Sequence, residues 1–575
     1  MIRRLLLLLA CVAFLGSCAN IPEQTSPQPI ANPSAPSKQP VSGPTKDAEP
    51  ITVVRDFIRA NGNPLAAGAY LTDEAKRTWR PDNQPTVIDD DFSTVPEPSD
   101  THEADPNRAD VNVKGQTVGI LNADKSFVAQ QGRYNEVVQL AKQDGQWRIA
   151  RVPGNGMVVP KAEFLLAFRL VKLYFYNITK TVLVPDARYL PANPRPIPAD
   201  IMALLLHGPA AGLKDAMRSV LPNSVTQRTN AVMAKDSNVL VVNLGDLGNP
   251  VAEDRDLIAQ QVVLSLQDVA STVRLLAEGV PLLPDHPDWK VTDLQSTSEK
   301  TTPPAQLPGL VVVQNRLKSL KDLAPYPGAP GNGEYNVQSA AQSVDGSQLA
   351  VVEKVPGGVQ LRVGNAAEGL RAVYPGPAVG PAETMTRPTW QFGMSSTQLS
   401  NEVWTVVDGT NVIRLQRGTD NAWTPLPVDA TNLSTYGTIT ELRLSRDGVR
   451  VAIVAGGKLY IGAVARVDGG TSIAAPKLVP ALTNVVSVDW LNQSTVMVAT
   501  NSSNGPVWRV PVDGIESDRF SVANLTLPLT AITAAPSRVV IVTDSVGMWR
   551  ASEPGQIWQL TPSVQGAGAW PFYPG

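Results

Sequence analysis

Val344-Asp345-Gly346-Ser347-Gln348-Leu349-Ala350-Val351-Val352 returns later in the chain as Arg446-Asp447-Gly448-Val449-Arg450-Val451-Ala452-Ile453-Val454. In both, an Asp-Gly turn feeds a short run of β-branched and small apolar residues, the pattern of a strand buried on both faces. Looser copies lie at Leu399–Val407, Gln493–Ala499 and Arg538–Val542. Each copy is followed by a second short strand: Val359–Val363, Val412–Leu415, Lys458–Ile461, Val507–Val510 and Met548–Arg550. The repeat returns at about 43–53 residues, the period of one propeller blade. Residues 305–575 are therefore expected to form an all-β propeller of five or six blades. A sixth blade would be shared between Leu310-Val311-Val312-Val313 and the strand near Ala569-Trp570. The carboxylates of Asp345 and Asp447 are expected to hold their turns by hydrogen bonds to nearby backbone, with metal binding as the alternative.

Upstream, residues 160–290 change character. Phe168–Tyr176 reads as a strand and Val182–Tyr189 as its hairpin partner. Ala199–Leu206 reads as a helix that stops at His207-Gly208-Pro209, and Leu213–Leu221 as a short helical stretch before Pro222. Ser237–Leu244 is a further strand. Leu257–Leu276 carries Ile258, Val262, Leu266, Val269 and Val273 at helical spacing. Strand and helix alternate, which predicts an α/β unit with helices against a mixed sheet.

Residues 51–155 reverse that order, helices first and strands after. Val53–Ile58 begins a helix, and Ala66–Trp79 predicts a second one ending near Arg80-Pro81. Alternating apolar residues follow at 116–121 and 136–142, and Gln143-Asp144-Gly145 turns into Gln146-Trp147-Arg148-Ile149 as a β-hairpin. This predicts an α+β unit. Between its halves lie Asp89, Asp90, Asp91, Glu97, Asp100, Glu103 and Asp105. They lack the regular ligand spacing and glycine turn of a calcium loop, so the segment reads as a solvated acidic loop.

The beginning of the chain reads as an export signal. Arg3 and Arg4 precede an apolar run from Leu5 to Leu15, within the ~7–15 residues of a signal-peptide core and short of the ~20 that span a bilayer. It ends in Leu15-Gly16-Ser17-Cys18, where small residues suit a peptidase groove and a cysteine suits thioether attachment of a lipid. The chain has 2 cysteines, and Cys11 lies inside the segment to be removed. Residues 1–17 are thus expected to be a signal peptide and Cys18 the lipidation site, anchoring the protein in the bilayer on the outer face of the cell membrane. Residues 18–50 carry proline at 22, 27, 29, 33, 36, 40, 44 and 50 among small and polar residues, a composition that stays extended and acts as a tether.

The 575 residues carry a formal net charge of −3 and no basic block, which argues against a nucleic-acid partner. The 3 histidines, His102, His207 and His286, fall in different regions without metal-ligand spacing. Neither a nucleophile elbow, nor a phosphate-cradling glycine loop, nor a zinc signature is present. No catalytic residue, cofactor or metal is assigned. Paired carboxylates of a glycosidase stay open, because folding can bring any two together. Trp508, Trp549 and Trp558 recur beside strands and read as packing residues, with a sugar platform as the alternative.

Several resemblances attach to these residues. The helices-then-sheet order of 51–155 resembles the NTF2-like cone fold. The order and wording of 160–290, including ALLLHGP, VLVVNLGD and QQVVLSLQDVASTVRLLAEGVPL, resemble the GerMN domain, a non-catalytic binding module of bacterial envelope and spore-germination proteins. The Asp-Gly blades resemble those of TolB-type propellers. Leu15-Gly16-Ser17-Cys18 resembles the bacterial lipobox, which implies lipidation of Cys18 and cleavage before it, and lipobox, tether and the three units in this order resemble the actinobacterial LpqB lipoprotein family over nearly the whole chain. That resemblance implies an accessory of the MtrA–MtrB two-component system that contacts the extracytoplasmic domain of the sensor kinase MtrB, with effects on cell division and envelope integrity. A cell-wall polymer is a further partner to consider. The rival readings are a cell-wall binding module and a carbohydrate-active propeller enzyme.

Overall fold

Six small sheets close a ring at the C-terminal end of the chain. The computed structural model describes residues 43–575, apart from 82–83, 98–104, 193–197, 235–237, 295–299, 377–378, 393–399, 468, 481 and 566–567. Five of the sheets have four strands in sequence order, each starting from an inner strand: Val337–Gln342, Thr389–Trp390, Ile439–Leu444, Val485–Asn492 and Ala531–Thr533. The sixth is built from both ends of the region. Leu310–Val313 lies between Arg316–Ser319 and the last strand, Ala569–Phe572, with Val312 opposite Trp570. Pairing the last strand with the first closes the ring and removes the open edges of a sheet.

The Asp-Gly repeats sit where the inner strand turns into the second strand of its blade. Asp345 Oδ1 accepts from the Ser343 hydroxyl at 2.5 Å and from the Ser347 amide at 3.1 Å. Asp447 Oδ1 accepts from the Ser445 hydroxyl at 2.5 Å and the Val449 amide at 2.9 Å. Gly346 and Gly448 follow with φ of +76° and +75°, a region that favours glycine. These carboxylates hold turns, as expected.

In the first unit, helix α1 (Pro50–Ala60) starts at a proline and buries Val53, Val54, Phe57 and Ile58, one face at helical spacing. The expected second helix, Ala66–Trp79, is two: α2 (Pro64–Gly68) and α3 (Asp73–Thr78). Between them the Ile149 amide donates to the Tyr70 carbonyl and the Thr72 amide to the Ile149 carbonyl, drawing the chain out as a bridge. Thr72 then caps α3 through the Ala75 amide, so Thr72-Asp73-Glu74 is a helix start inside the apolar period. The sheet beneath has strands β1 (Thr86–Ile88), β2 (Ser93–Glu97), β3 (Arg108–Leu121), β4 (Phe127–Gln143), β5 (Gln146–Arg151) and β6 (Val158–Pro160). Their order is β5-β4-β3-β1-β6, with β2 also on β3. Asp144 and Gly145 take φ of +52° and +74°, the backbone of a tight hairpin turn between β4 and β5.

The middle unit adds α4 (Lys161–Ala167), β7 (Phe168–Asn177), β8 (Leu183–Pro191), α5 (Pro198–His207), β9 (Met217–Arg218), β10 (Thr226–Met233), β11 (Val239–Gly245), α6 (Ala252–Leu266), β12 (Thr272–Ala277), β13 (Val280–Pro281) and β14 (Asp288–Lys290). One sheet runs β8-β7-β9 and the other β10-β11-β12-β13, with β14 on β12 and β11 parallel to β12 across α6. Two expectations are corrected here. Leu213–Leu221 is not helical: one turn, closed by the Met217 amide on the Leu213 carbonyl, leads directly into β9, which pairs with β7. Leu257–Leu276 is helical only to Leu266. The β-branched run from Thr272 lies parallel to β11, and Val273 and Leu275 are buried because alternate strand residues face the core.

Residues 44–575 form one compact body. A single apolar cluster joins Phe127 of the first unit, Tyr189 of the second and Ile515 of the propeller, and the core of the middle unit extends onto Val449 and Ala463. Among the described residues no helix is long and apolar enough to cross a membrane.

Candidate functional site

The inner strands of the propeller run side by side around an axial channel. Their first residues line a cavity of about 500 Å³ that is open at one end. A strand advances about 3.3 Å per residue, so the last residues of the same strands lie deeper, and there the channel is sealed. Arg446, 5% exposed, donates to the carbonyls of Trp490 (2.6 Å), Ala534 (2.9 Å) and Pro574 (2.9 Å). Arg443 donates to the carbonyls of Pro388 (2.6 Å) and Gly575 (2.9 Å), while the Gly575 amide donates to Gln342. Residues 573–575 and two arginines thus form the floor.

Just above the floor sits an ion cluster. Arg387 lies 3.1 Å from Glu441 and 4.0 Å from Asp489, and Arg443 lies 3.6 Å from Asp489. Both carboxylates also accept backbone hydrogen bonds: Glu441 from the Val488 amide, Asp489 from the Trp490 and Ala534 amides. Burial acts to raise the Asp489 carboxyl, but Arg443, Arg387 and Arg446 outweigh it and hold it below its ordinary value. Burial, with the charge of Arg387, brings the Arg443 guanidinium down to about 10.

At the floor end the propeller meets the middle unit. Arg450 donates to the Pro185 carbonyl (2.7 Å), Gln493 to Leu183 (3.1 Å) and Asn177 to the Asp447 carbonyl (3.4 Å). These contacts fall on the turns that follow the inner strands and on the first residue of the next strand, whereas the cavity opens where the inner strands begin. Beside this junction the fully buried Arg188 pairs with Asp186 at 2.6 Å and reaches the Asp124 carbonyl of the first unit at 2.7 Å. Burial lowers the neighbouring Lys477, against the opposing charges of Asp124 and Asp186.

The residues singled out in the sequence are scattered. Cys18, the tether up to residue 42, and His102, Asp100 and Glu103 lie outside the described residues. His207 ends α5, and His286 stacks on Trp289 at 4.1 Å between ring centres. Asp90 accepts from the Ala162 amide in the first turn of α4, and Glu97 accepts from Asn112. Among the described residues no three His, Cys, Asp or Glu side chains group as metal ligands. Trp558 is buried with its indole N–H on the Ser521 carbonyl, and Trp508 donates to the Gly505 carbonyl. Both are packing residues. The channel residues Arg387, Glu441, Arg443, Arg446 and Asp489 were not singled out. One signal was available: the two best repeats differ most in character before the Asp, with Val344 in one and Arg446 in the other.

Comparison with known proteins covers nearly the whole chain. The family model for the lipoprotein LpqB N-terminal domain matches residues 43–165, one described as sporulation and spore germination matches 172–283, and the lipoprotein LpqB β-propeller domain matches 311–574. Lipoprotein LpqB of Rhodococcus jostii (strain RHA1) is 31% identical over 606 residues, covering 99% of this chain and 97% of that one. Lipoprotein LpqB of Mycolicibacterium smegmatis (strain ATCC 700084 / mc(2)155) is 29% identical over 605 residues and 99% of both chains. Among solved structures, the tandem GerMN domains of the sporulation protein GerM from Bacillus subtilis align with 20% of this chain and 40% of theirs, at 21% identity and a TM-score of 0.16. The chain belongs to the lipoprotein LpqB family.

Proposed function

We propose that this lipoprotein stands on the outer face of the cell membrane, anchored through lipidated Cys18, and binds the extracytoplasmic domain of an MtrB-like sensor kinase. By favouring one of the kinase's states it modulates the two-component system, and through it cell division and envelope homeostasis. The observation that carries this reading is the open end of the propeller: a cavity of about 500 Å³ on the side where the inner strands begin, away from the contacts with the middle unit. A rigid ring with one end sealed by its own chain and the other free is suited to holding a partner.

The chemistry of the cavity supports binding over hydrolysis. A glycosidase needs one carboxyl held protonated as the acid and a second left free to act. Here Asp489 is held below its ordinary value by arginines, and Glu441 is engaged by Arg387 and the Val488 amide. The test uses the full chain in detergent, the kinase ectodomain, and purified peptidoglycan and arabinogalactan. Saturable binding to the ectodomain without release of wall fragments is expected. Turnover of either polymer, abolished by Glu441→Gln or Asp489→Asn, overturns the reading in favour of an enzyme.

A further inference from the structure

The charge around the propeller channel is one-sided. Four basic groups, Lys354, Arg387, Arg443 and Arg446, line the channel and its floor against two acidic ones, Glu441 and Asp489. The two carboxylates are fully engaged by arginines and backbone amides. The wall hydroxyls are also engaged: Thr386 accepts from the Val406 amide, Ser487 from Ile532, and Thr440 and Thr530 donate to the carbonyls of Val454 and Thr543. Two polar groups of the lining residues are left over. The Arg387 Nε–H, on a side chain 12% exposed, has no hydrogen-bond partner, and neither does the buried Ser339 hydroxyl. Lys354 is exposed at the rim. A carboxylate entering the mouth brings acceptors to the cationic side chains of Arg387 and Lys354 and meets the excess of positive charge.

We propose that the mouth of the propeller channel is a carboxylate-recognising site, which takes an extended segment of a partner protein by its Glu or Asp side chain. It rests on the partner-binding function above for the source of that segment. The carboxylate sits against the part of the Arg387 side chain that faces the cavity, with Lys354 at the entrance. The flanking residues of the segment lie against Val337, Val486 and Phe572, which give the walls their apolar character. A peptide suits this inventory better than a glycan does. An acidic side chain meets the excess of positive charge around the channel, which the hydroxyls of a neutral glycan do not. A volume of about 500 Å³ falls within the ~300–1,000 Å³ of sites that bury a small ligand or a few residues.

The experiment uses the full chain in detergent micelles and two pools of rhodamine-labelled hexapeptides. One pool has Glu fixed at a central position and the other Gln, with Ala, Val, Ser, Thr and Gly elsewhere. By fluorescence polarisation at low salt, the Glu pool is expected to bind at least tenfold more tightly. Arg387→Gln should abolish this preference. Lys354→Glu, a change at an exposed rim residue that leaves the buried cluster intact, should reduce the preference at least threefold and serves where Arg387→Gln fails to fold. Equal binding of the two pools, or a preference that survives both substitutions, overturns the proposal. Muramic-acid glycan fragments that displace the Glu pool more effectively than unlabelled Glu peptides overturn the peptide assignment in favour of a wall polymer. Glu selectivity without ectodomain binding sinks the kinase reading alone. Ectodomain binding that is indifferent to Lys354→Glu and to excess Glu pool sinks the channel proposal alone.

Discussion

Arg188→Met cuts the buried knot that ties the first two units together. Arg188 and Asp186 are both almost inaccessible, at 0% and 2% exposure, and meet at 2.6 Å. The guanidinium also reaches the Asp124 carbonyl at 2.7 Å and the Gly208 carbonyl at 3.2 Å. Asp186 accepts from the Ala210 amide at 2.8 Å, and Asp124 accepts from the Ala211 amide at 3.1 Å. Removing one partner of a buried pair leaves the other charge desolvated, with a cost of about 3–5 kcal/mol. At 1.4 kcal/mol per tenfold, local opening becomes roughly 10²- to 4 × 10³-fold more frequent. Hydrogen exchange read by mass spectrometry over peptides spanning 122–126, 183–191 and 208–213 reports this directly, and it avoids assuming two-state unfolding in a chain of several units. Asp186→Leu combined with Arg188→Met should recover much of the protection, because no unpaired charge is then buried. If Arg188→Met leaves exchange in all three segments within threefold of the parent, the pair does not hold the junction and the reasoning fails.

Two further predictions follow from the anchor and from a buried carboxyl. Cys18→Ser should shift the exported protein from the detergent phase to the aqueous phase in Triton X-114 partitioning; equal partitioning of mutant and parent would show that the anchor lies elsewhere. Asp513 is pushed above its ordinary value of 3.8 by burial, against the lowering effect of the Tyr189 hydroxyl that donates to it at 2.9 Å. The folded state then holds this proton more tightly than the unfolded state, so stability is lost as pH rises from about 3.8 through the raised value. Asp513→Asn removes that loss, and the melting temperature of the mutant relative to the parent should climb with pH across this window; a difference that stays constant from pH 4 to 8 refutes it.

The strands of the propeller were legible because each buried strand is short, apolar and punctuated by an Asp-Gly or equivalent turn, which are local properties. Lys458–Ile461 and Val507–Val510 fall inside the strands Lys458–Val467 and Val507–Pro511 for this reason. The boundary of α6 was not legible. Val269 and Val273 continue the helical period of Ile258, Val262 and Leu266, while only the parallel partner β11, far from them in sequence, draws Thr272 onward into a strand. The floor of the channel was hidden for the same reason. Arg446 has its carbonyl partners on Trp490, Ala534 and Pro574, each 44 or more positions away. Glu441 and Arg387 meet only because neighbouring blades bring their inner strands together. Trp390 and Trp490 show the same limit. Each donates its indole N–H to a carbonyl of the preceding blade, at Ala341 and Arg443, a recurrence that only the ring makes visible.

How binding at the open end would act depends on how firmly the ring is held. Domain interfaces are mobile by default unless they are large and apolar. Here the interface draws on one cluster that includes Phe127, Phe164, Tyr189 and Ile515, and on a second in which Val449 and Ala463 complete the core around β7 and α6. Arg450 and Gln493 add hydrogen bonds to the carbonyls of Pro185 and Leu183, alternate residues of β8, and Tyr189 adds one to Asp513. A partner held at the mouth therefore meets a body in which the propeller cannot swing freely against the middle unit. Its binding energy is not spent on ordering domains, which favours affinity. Under the proposed kinase-binding function, the influence of this protein would lie in which kinase state fits the rigid face, since a ligand shifts an equilibrium only by its differential affinity for the two states. A substitution that loosens the junction without touching the mouth, such as Arg188→Met, should accordingly weaken ectodomain binding less than Lys354→Glu does. The reverse order would mean that the junction, and not the open end of the ring, carries the contact.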